Sequence, residues 1–179
     1  MKVAETALKG VYIIEPKVFT DKRGCFFESF TQKNFEEMVA PVTFVQDNES
    51  HSGKGVVRGL HFQRPPYAQS KLLRCTQGAV LDVVVDLRQG SETYGQHLAV
   101  ELSAENHLQL FVPKGFAHGF AVIGEEAVLQ YKCDEYYHPE AEGGVNALSF
   151  GIDWGVEDVV LSDKDAVLPE FNAFTSPFE

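Results

Sequence analysis

The sequence predicts one all-β domain, a sandwich or a barrel of many short strands, with the jelly roll among the candidate architectures. Two observations lead to this prediction. Apolar and polar residues alternate with a period of two in several segments, and helical periodicity is confined to two short stretches. A chain of 179 residues with 44% hydrophobic content can bury one sizeable core. No Pro/Gly/Ser-rich linker interrupts it, so residues 1–179 are expected to form a single domain.

The clearest strand signal is "AVLDVVVDL", residues 79–87, in which every odd position is apolar. Its even positions include Asp82 and Asp86, which we expect on an outward, solvated face; pairing of either carboxylate with Lys71 is the alternative. The same alternation predicts strands in "HLAVELS", "HLQLFVP" and "AVLQYKCDEYY", and Gly, Pro, Asn and Asp separate these segments.

Helical signal is limited to "TQKNFEEMVA" and to a short turn that opens at Ser162. In the first segment Thr31 suits the N-cap, and Phe35, Met38 and Val39 share one face. Both elements are expected to be minor and peripheral to the sheet.

Charge and cysteine content exclude several classes of protein. Lys and Arg number 15 against 26 Asp and Glu, a net charge of −11, which disfavours nonspecific binding to nucleic acids or anionic membranes. No segment approaches the roughly 20 apolar residues of a membrane helix, and the first residues lack a secretory signal, so a cytoplasmic protein is expected. Cys25, Cys75 and Cys133 are odd in number and far apart, which predicts reduced, buried thiols.

Two histidine motifs carry the first functional signal. "PKGFAHGF" at residues 113–120 has the Pro-x-Gly-x-x-His spacing of the second cupin motif, and "RGLHFQ" at residues 58–63 supplies His61. His61 and His118 alone do not make a three- or four-ligand metal site, so no metal is predicted.

The sequence closely resembles the dTDP-4-dehydrorhamnose 3,5-epimerase family, cofactor-independent cupins that act on a 4-keto sugar nucleotide. The resemblance runs in order through "EPKVFTDKRGCFFESF", "FVQDNES", "VVRGLHFQ", "KLLRCTQGAVLDVVVDLR", "LSAENHLQLFVPKGFAHGF", "YKCDEYY" and "LSDKDAVLP". It implies a cupin-type double-stranded β-helix, a jelly-roll barrel with a few short peripheral helices. It also implies a homodimer that uses no cofactor and acts on a dTDP-linked 4-keto-6-deoxyhexose, inverting C3 and C5.

The resemblance also implies roles for individual residues. His61 corresponds to the proton acceptor, Tyr131 to the proton donor, and Asp165 to the carboxylate that pairs with the histidine. Substrate contacts are implied for Arg23, Glu28, Gln46, Asp47, Asn48, Arg58, Lys71, His118, Glu142 and Lys164.

The chemistry of the residues agrees with these roles. Inversion beside a ketone needs a base, a stabiliser for the enolate oxygen, and an acid on the opposite face; neutral imidazole suits the base, and a carboxylate on its other nitrogen would fix the tautomer. Lys71 shares a strand face with Leu73 and Cys75, which indicates a cation in the pocket, with a solvated surface lysine as an equal alternative. Tyr131 falls on the inward face by alternation, as does Tyr137 but not Tyr136; a hydrogen-bonded core tyrosine is the alternative.

Arg58 presents a geometric problem, because strict alternation puts it on the face opposite His61. A bulge at Gly59 would bring both side chains to one pocket; otherwise Arg58 lies just outside the strand. Arg58 and Arg23 suit a pyrophosphate through bidentate hydrogen bonds, Arg23 from a turn that reaches a neighbouring subunit, although surface salt bridges are the alternative.

Rival functions are a monoepimerase or ketoisomerase of another deoxysugar, a noncatalytic sugar-binding cupin, and a metal cupin.

Overall fold

Two long antiparallel strands organise the fold of the computed structural model, which describes all residues 1–179. Strand β7 spans Lys71–Asp86 and strand β10 spans Phe116–Cys133, and they pair along nearly their whole lengths. The remaining strands are β1 (Lys2–Glu5), β2 (Tyr12–Glu15), β3 (Phe19–Asp21), β4 (Gly24–Phe26), β5 (Gln46–Gly53), β6 (Val57–Gln63), β8 (His97–Ser103), β9 (Gln109–Val112) and β11 (Glu142–Gly144).

The two long strands belong to both layers of the barrel. The first half of β7 pairs with β9 and its second half with β8, while the first half of β10 pairs with β6 and its second half with β5. Strands β2 and β1 extend one layer and β11 extends the other, and every pair is antiparallel. This is the cupin-type jelly roll that the sequence predicts; β3 and β4 form a separate hairpin.

The main core lies between the two layers. It contains Leu73, Val84, Leu110, Phe120 and Leu129, all nearly inaccessible to solvent. A second cluster covers the outer side of β6 and β7 beneath the C-terminal segment, and a third lies under the first helix. Burial of these apolar side chains is the main stabilising contribution to the fold.

Both faces of residues 79–87 are buried, so the expectation of a solvated face there is wrong. Asp82 and Asp86 are 0% exposed. The odd positions pack under the C-terminal segment, and the even positions therefore point into the barrel. A shift of register at Thr76 changes which parity faces inward, so Leu73 and Val84 reach the same cluster.

The two predicted helices are present. Helix α1 spans Gln32–Met38 and helix α2 spans Asp163–Ala166; single 3-10 turns cover Pro139–Ala141, Ala147–Phe150 and Phe171–Ala173. Thr31 is the N-cap residue of α1, but its hydroxyl donates to Glu28 instead of capping the helix. Phe35 is buried, whereas Met38 is 47% exposed, so its predicted place on the packed face is wrong.

The three cysteines are free thiols, as predicted, but only two are buried. Cys75 and Cys133 lie in the barrel interior, while Cys25 is exposed on the β3–β4 hairpin, which is too short to cover it. None of the helices has the length and apolar character that crossing a membrane requires.

Candidate active site

A bulge in β6 brings Arg58 and His61 to the same cavity, which is the first of the two arrangements that the sequence left open. In the pairing of β6 with β10, His61 lies opposite His118 and Arg58 lies opposite Phe120. The interval is three residues on β6 but only two on β10, so β6 contains one extra residue, which is the bulge. Gly59 permits this arrangement with φ +127°, in the region that favours glycine. A Cβ there would lie 2.6 Å from the Cα of Gly119, so the two backbones touch at the bulge.

The cavity beside the bulge has a volume of about 420 Å³. A second cavity, of about 310 Å³, shares His61, Lys71 and Tyr131 with it, and we call the two the inner and the outer cavity. The inner cavity is lined by Ser50, Val56, Val57, Arg58, His61, Lys71, His118, Phe120, Tyr131, Val160, Leu161, Ser162, Lys164 and Asp165. The outer cavity is lined by Gln46, Asn48, His61, Phe62, Gln63, Gln69, Lys71, Tyr131, Tyr137 and Glu142.

His61 and Asp165 form a hydrogen-bonded pair 2.6 Å apart, from Nε2 to Oδ1. Asp165 is 4% exposed, and Ser162 caps the short helix that carries it by accepting a hydrogen bond from its backbone N–H. The second carboxylate oxygen accepts from the Gly59 N–H at 3.3 Å. Burial opposes ionisation of Asp165, but the hydrogen bonds from His61 and Gly59 hold its pKa below the usual value.

This pairing defines the reactive atom of the imidazole. Because an ionised carboxylate only accepts hydrogen bonds, Nε2 of His61 carries a proton toward Asp165. The lone pair of a neutral ring then lies on Nδ1. His61 thus has the tautomer of a base whose other nitrogen is anchored.

Lys71 and Tyr131 lie on the neighbouring strands β7 and β10, and both residues line the inner and the outer cavity. The ammonium of Lys71 is 5.9 Å from the centroid of the Tyr131 ring, and neither Lys71 nor the Tyr131 hydroxyl has a hydrogen-bond partner in the chain. Burial lowers the pKa of Lys71, against the opposing charges of Cys133, Asp82 and Glu142. Burial also raises the pKa of Tyr131, which keeps its phenol protonated.

His118 and Asp82 form a second pair inside the barrel. Both carboxylate oxygens of Asp82 lie 3.0 Å from Nε2 of His118, and the pair is almost completely buried. Burial lowers the pKa of His118, although Asp82 opposes this shift. Neither strand aspartate makes a hydrogen bond or salt bridge with Lys71, so that alternative is wrong: Asp82 bonds His118, and Asp86 bonds Arg88.

Glu142 and Tyr137 line the outer cavity, and Lys164, which lines the inner cavity, lies beside them. Glu142 forms an ion pair with Lys164 and accepts a hydrogen bond from the Tyr137 hydroxyl at 3.0 Å. The nearby Lys164 holds the pKa of Glu142 below its usual value. Tyr137 reaches this cavity from a loop, because β10 ends at Cys133 and strand alternation does not extend to it; Tyr136 is 60% exposed.

The remaining predicted contacts divide into two groups. Gln46 and Asn48 line the outer cavity, while Asp47 pairs with Lys132 in a third cavity of about 270 Å³, which Asn48 and Tyr131 also line. Arg23 pairs with Asp21 on the exposed β3–β4 hairpin, and Glu28 bonds Thr31 and Asn34. Neither of these lines the cavities that contain His61.

Two residues near His61 escaped the sequence analysis. Gln63 is 4% exposed; its amide donates to the carbonyls of Tyr67 and Tyr136, and its oxygen accepts from the His138 N–H. It thereby ties the Tyr137 loop to β6. Ser50 lines the inner cavity from β5, and alternation in "QDNESHS" was the signal that would have placed it on the face of Gln46 and Asn48.

No group of three or more His, Cys, Asp and Glu side chains is arranged to hold a metal ion. The polar groups of the inner cavity include an anchored imidazole, an ammonium, a phenol and a guanidinium, which are groups that move protons and bind anions. Fold and site together define a cupin with the residues of acid–base catalysis in its barrel.

Comparisons with known proteins identify the family. The model of the family described as dTDP-4-dehydrorhamnose 3,5-epimerase matches residues 5–173. The Escherichia coli dTDP-4-dehydrorhamnose 3,5-epimerase is 53% identical over 92% of this chain and 91% of its own. This chain belongs to the dTDP-4-dehydrorhamnose 3,5-epimerase family.

Solved structures agree with this assignment. A crystal structure of the Elizabethkingia anophelis epimerase superposes with a TM-score of 0.91 at 52% identity, covering 96% of this chain and 97% of that one. The Legionella pneumophila enzyme, described as dTDP-6-deoxy-D-glucose-3,5-epimerase in complex with dTDP-4-keto-L-rhamnose, gives a TM-score of 0.95 at 45% identity, covering 99% and 98%.

Proposed function

We propose that this chain is an epimerase that inverts C3 and C5 of dTDP-4-dehydro-6-deoxy-D-glucose to form dTDP-4-dehydro-L-rhamnose, on the path to dTDP-L-rhamnose. The observation that carries the proposal is the anchored pair of His61 and Asp165, facing a cavity that also contains Lys71 and Tyr131. The bound dTDP-4-keto-L-rhamnose of the Legionella pneumophila relative supports the choice of substrate.

The proposed reaction begins at the imidazole. Nδ1 of His61 removes the proton from the carbon beside the C4 ketone, and Asp165 stabilises the imidazolium that forms. Negative charge moves to the ketone oxygen. The unpaired ammonium of Lys71 suits that oxygen, because electrostatic stabilisation is strongest where water is excluded.

Tyr131 completes the inversion by returning a proton to the other face of the carbon. Its half-buried phenol, with a raised pKa, is protonated at neutral pH and has no partner in the chain to hold it away from substrate. The same groups serve C3 and C5 in turn, since both carbons flank the same ketone. No step in this scheme uses a cofactor or a metal ion.

The proposed substrate contacts extend from the cavities to a second copy of the chain. Arg58 would bind the diphosphate, and further contacts are proposed for Gln46, Asp47, Asn48, Lys71, His118, Glu142 and Lys164. Arg23 and Glu28 would act from the partner of a homodimer. Exposed Phe19 and Phe26, 54% and 72% accessible on the same hairpin as Arg23, support an interface there. The proposed location is the cytoplasm.

Solvent exchange tests this function directly. The protein is incubated with dTDP-4-dehydro-6-deoxy-D-glucose in deuterated water, and NMR follows deuterium at C3 and C5 together with the product stereochemistry. We expect label at both carbons and the L-rhamno product; inversion of one carbon alone would identify a monoepimerase, and binding without label a sugar-binding module.

A histidine variant assigns the base. His61→Ala should lose about 10² to 10⁴-fold of the exchange rate at both carbons, the usual contribution of general-base catalysis. Binding of dTDP should persist. His97→Ala, at an exposed position on β8, is the control. A His61→Ala variant with nearly full turnover would contradict the proposed role.

A further inference from the structure

Ser50 is the one residue whose buried side-chain polar atom lacks a hydrogen-bond partner in the chain. Ser50 lines the inner cavity from β5, and its hydroxyl oxygen is itself buried. Leaving a buried hydroxyl unpaired costs about 1–3 kcal/mol, so proteins pair nearly all of them. Because Ser50 lines a cavity, a ligand in that cavity is the candidate partner for its orphan hydroxyl.

The surroundings of Ser50 indicate the chemistry of that partner. Alternate residues of β5 place Gln46, Asn48, Ser50 and Ser52 on one face, and the others bond within the chain: Gln46 with Asn48 and the Tyr137 N–H, Asn48 with Cys133, and Ser52 with the guanidinium of Arg58. Ser50 is the free member of this row, two residues from the serine that orients Arg58.

We propose that Ser50 is a substrate-binding residue whose hydroxyl donates a hydrogen bond to a diphosphate oxygen of the sugar nucleotide, beside the guanidinium of Arg58. This proposal rests on the proposed function for the identity of the ligand. A diphosphate oxygen is the acceptor that fits best, since hydrogen bonds to charged oxygens are about twice as strong as neutral ones. Arg58 supplies the positive charge. The hydroxyl of Ser50 supplies a neutral hydrogen-bond donor, which avoids the desolvation cost of burying a second charge.

The test uses two serine-to-alanine variants with opposite expectations. Ser50→Ala removes a hydroxyl that has no partner in the free protein, so the free variant should melt at the wild-type temperature or above. Its affinity for dTDP should fall about 10-fold or more, as expected for a lost bond to a charged group. Ser103→Ala is the matched control: this serine is 3% exposed, its oxygen accepts from the Asn106 N–H, and it lines neither cavity.

Ser103→Ala should therefore melt at a lower temperature and bind dTDP as the wild type does. Calorimetric titration with dTDP and thermal unfolding of the free proteins measure both quantities. The proposal is overturned if Ser50→Ala binds dTDP within twofold of the wild type, or if it loses stability as Ser103→Ala does. Unchanged dTDP affinity with an altered KM for the keto sugar would also overturn it, by moving the contact to the sugar. Because dTDP binding needs no turnover, a wild-type protein that binds dTDP without epimerising the sugar would refute only the proposed function.

Discussion

Replacing Asp165 by asparagine should leave the fold intact and remove most of the epimerase activity. The carboxylate bonds Nε2 of His61 at 2.6 Å and the Gly59 N–H at 3.3 Å through its two oxygens. An amide has only one acceptor oxygen. When that oxygen stays with Gly59, the NH₂ group faces Nε2, which must then be unprotonated. The proton moves to Nδ1, where the base needs its lone pair.

Two effects set the size of the loss. The bond to Gly59 favours the unproductive amide orientation by about 1 kcal/mol. Loss of the carboxylate also removes a charge-assisted hydrogen bond to the imidazolium, about 1.5–3 kcal/mol. Together these amount to about 2.5–4 kcal/mol, or roughly 10² to 10³-fold in kcat/KM.

The assay compares Asp165→Asn with Asp163→Asn, an exposed aspartate two residues earlier in the same short helix. Rates of deuterium incorporation and of product formation are measured by NMR, with thermal unfolding as the check on folding. Asp163→Asn should keep wild-type rates. If Asp165→Asn retains more than about a tenth of the wild-type rate, the proposed role of Asp165 is refuted, because loss of the charge-assisted bond alone predicts at least that reduction.

Three further predictions concern other parts of the site and fold. Tyr131→Phe should still label recovered substrate at C3 or C5 in deuterated water but form little inverted product, because His61 can return a proton only to the face it came from; inversion at the wild-type rate would exclude Tyr131 as the acid. Gly59→Ala should lose about 1–3 kcal/mol of unfolding free energy in urea, since φ is +127° and a Cβ would meet Gly119 at 2.6 Å, whereas Gly124→Ala, with open space around it, should not. The pKa of Asp86 is about 2: burial opposes ionisation, but Arg88, Ser91 and Thr93 hold the charged form. A depressed carboxyl pKa stabilises the fold at pH values above the pKa of the unfolded chain, near 3.8, and this contribution is lost as the pH falls through about 2. Asp86→Asn should therefore lower the free energy of unfolding at pH 7 by about 2 kcal/mol. Equal stabilities of the two proteins at pH 7 in urea unfolding would contradict this.

The sequence was most informative where a local pattern has one physical meaning. Alternation located the strands β7 to β10, and Ser162 located the start of the second helix, because both depend on near neighbours in the chain. The resemblance to a family implied the pair of His61 and Asp165, 104 residues apart, which no spacing rule could have found.

Errors arose where a side chain's environment is made by distant segments. Asp82 and Asp86 were expected in solvent, because alternation identifies two faces of a strand without saying what covers each. The C-terminal segment covers the outer face of β7, and the barrel encloses the other. Tyr137, by contrast, lines the same cavity as Tyr131, as alternation predicts, although it lies beyond the end of the strand.

By itself, the sequence determined that the chain forms a β-rich domain of one family and which residue types carry proton transfer. The tertiary structure alone decided that Asp82 would bond His118 inside the barrel, that Gln63 would tie down the Tyr137 loop, and that Ser50 would have no partner. The physical reason is that strand and helix patterns reflect neighbours within a few residues. Burial and hydrogen-bond partnership depend on which strands meet when the sheet closes, and those contacts join residues far apart in the chain.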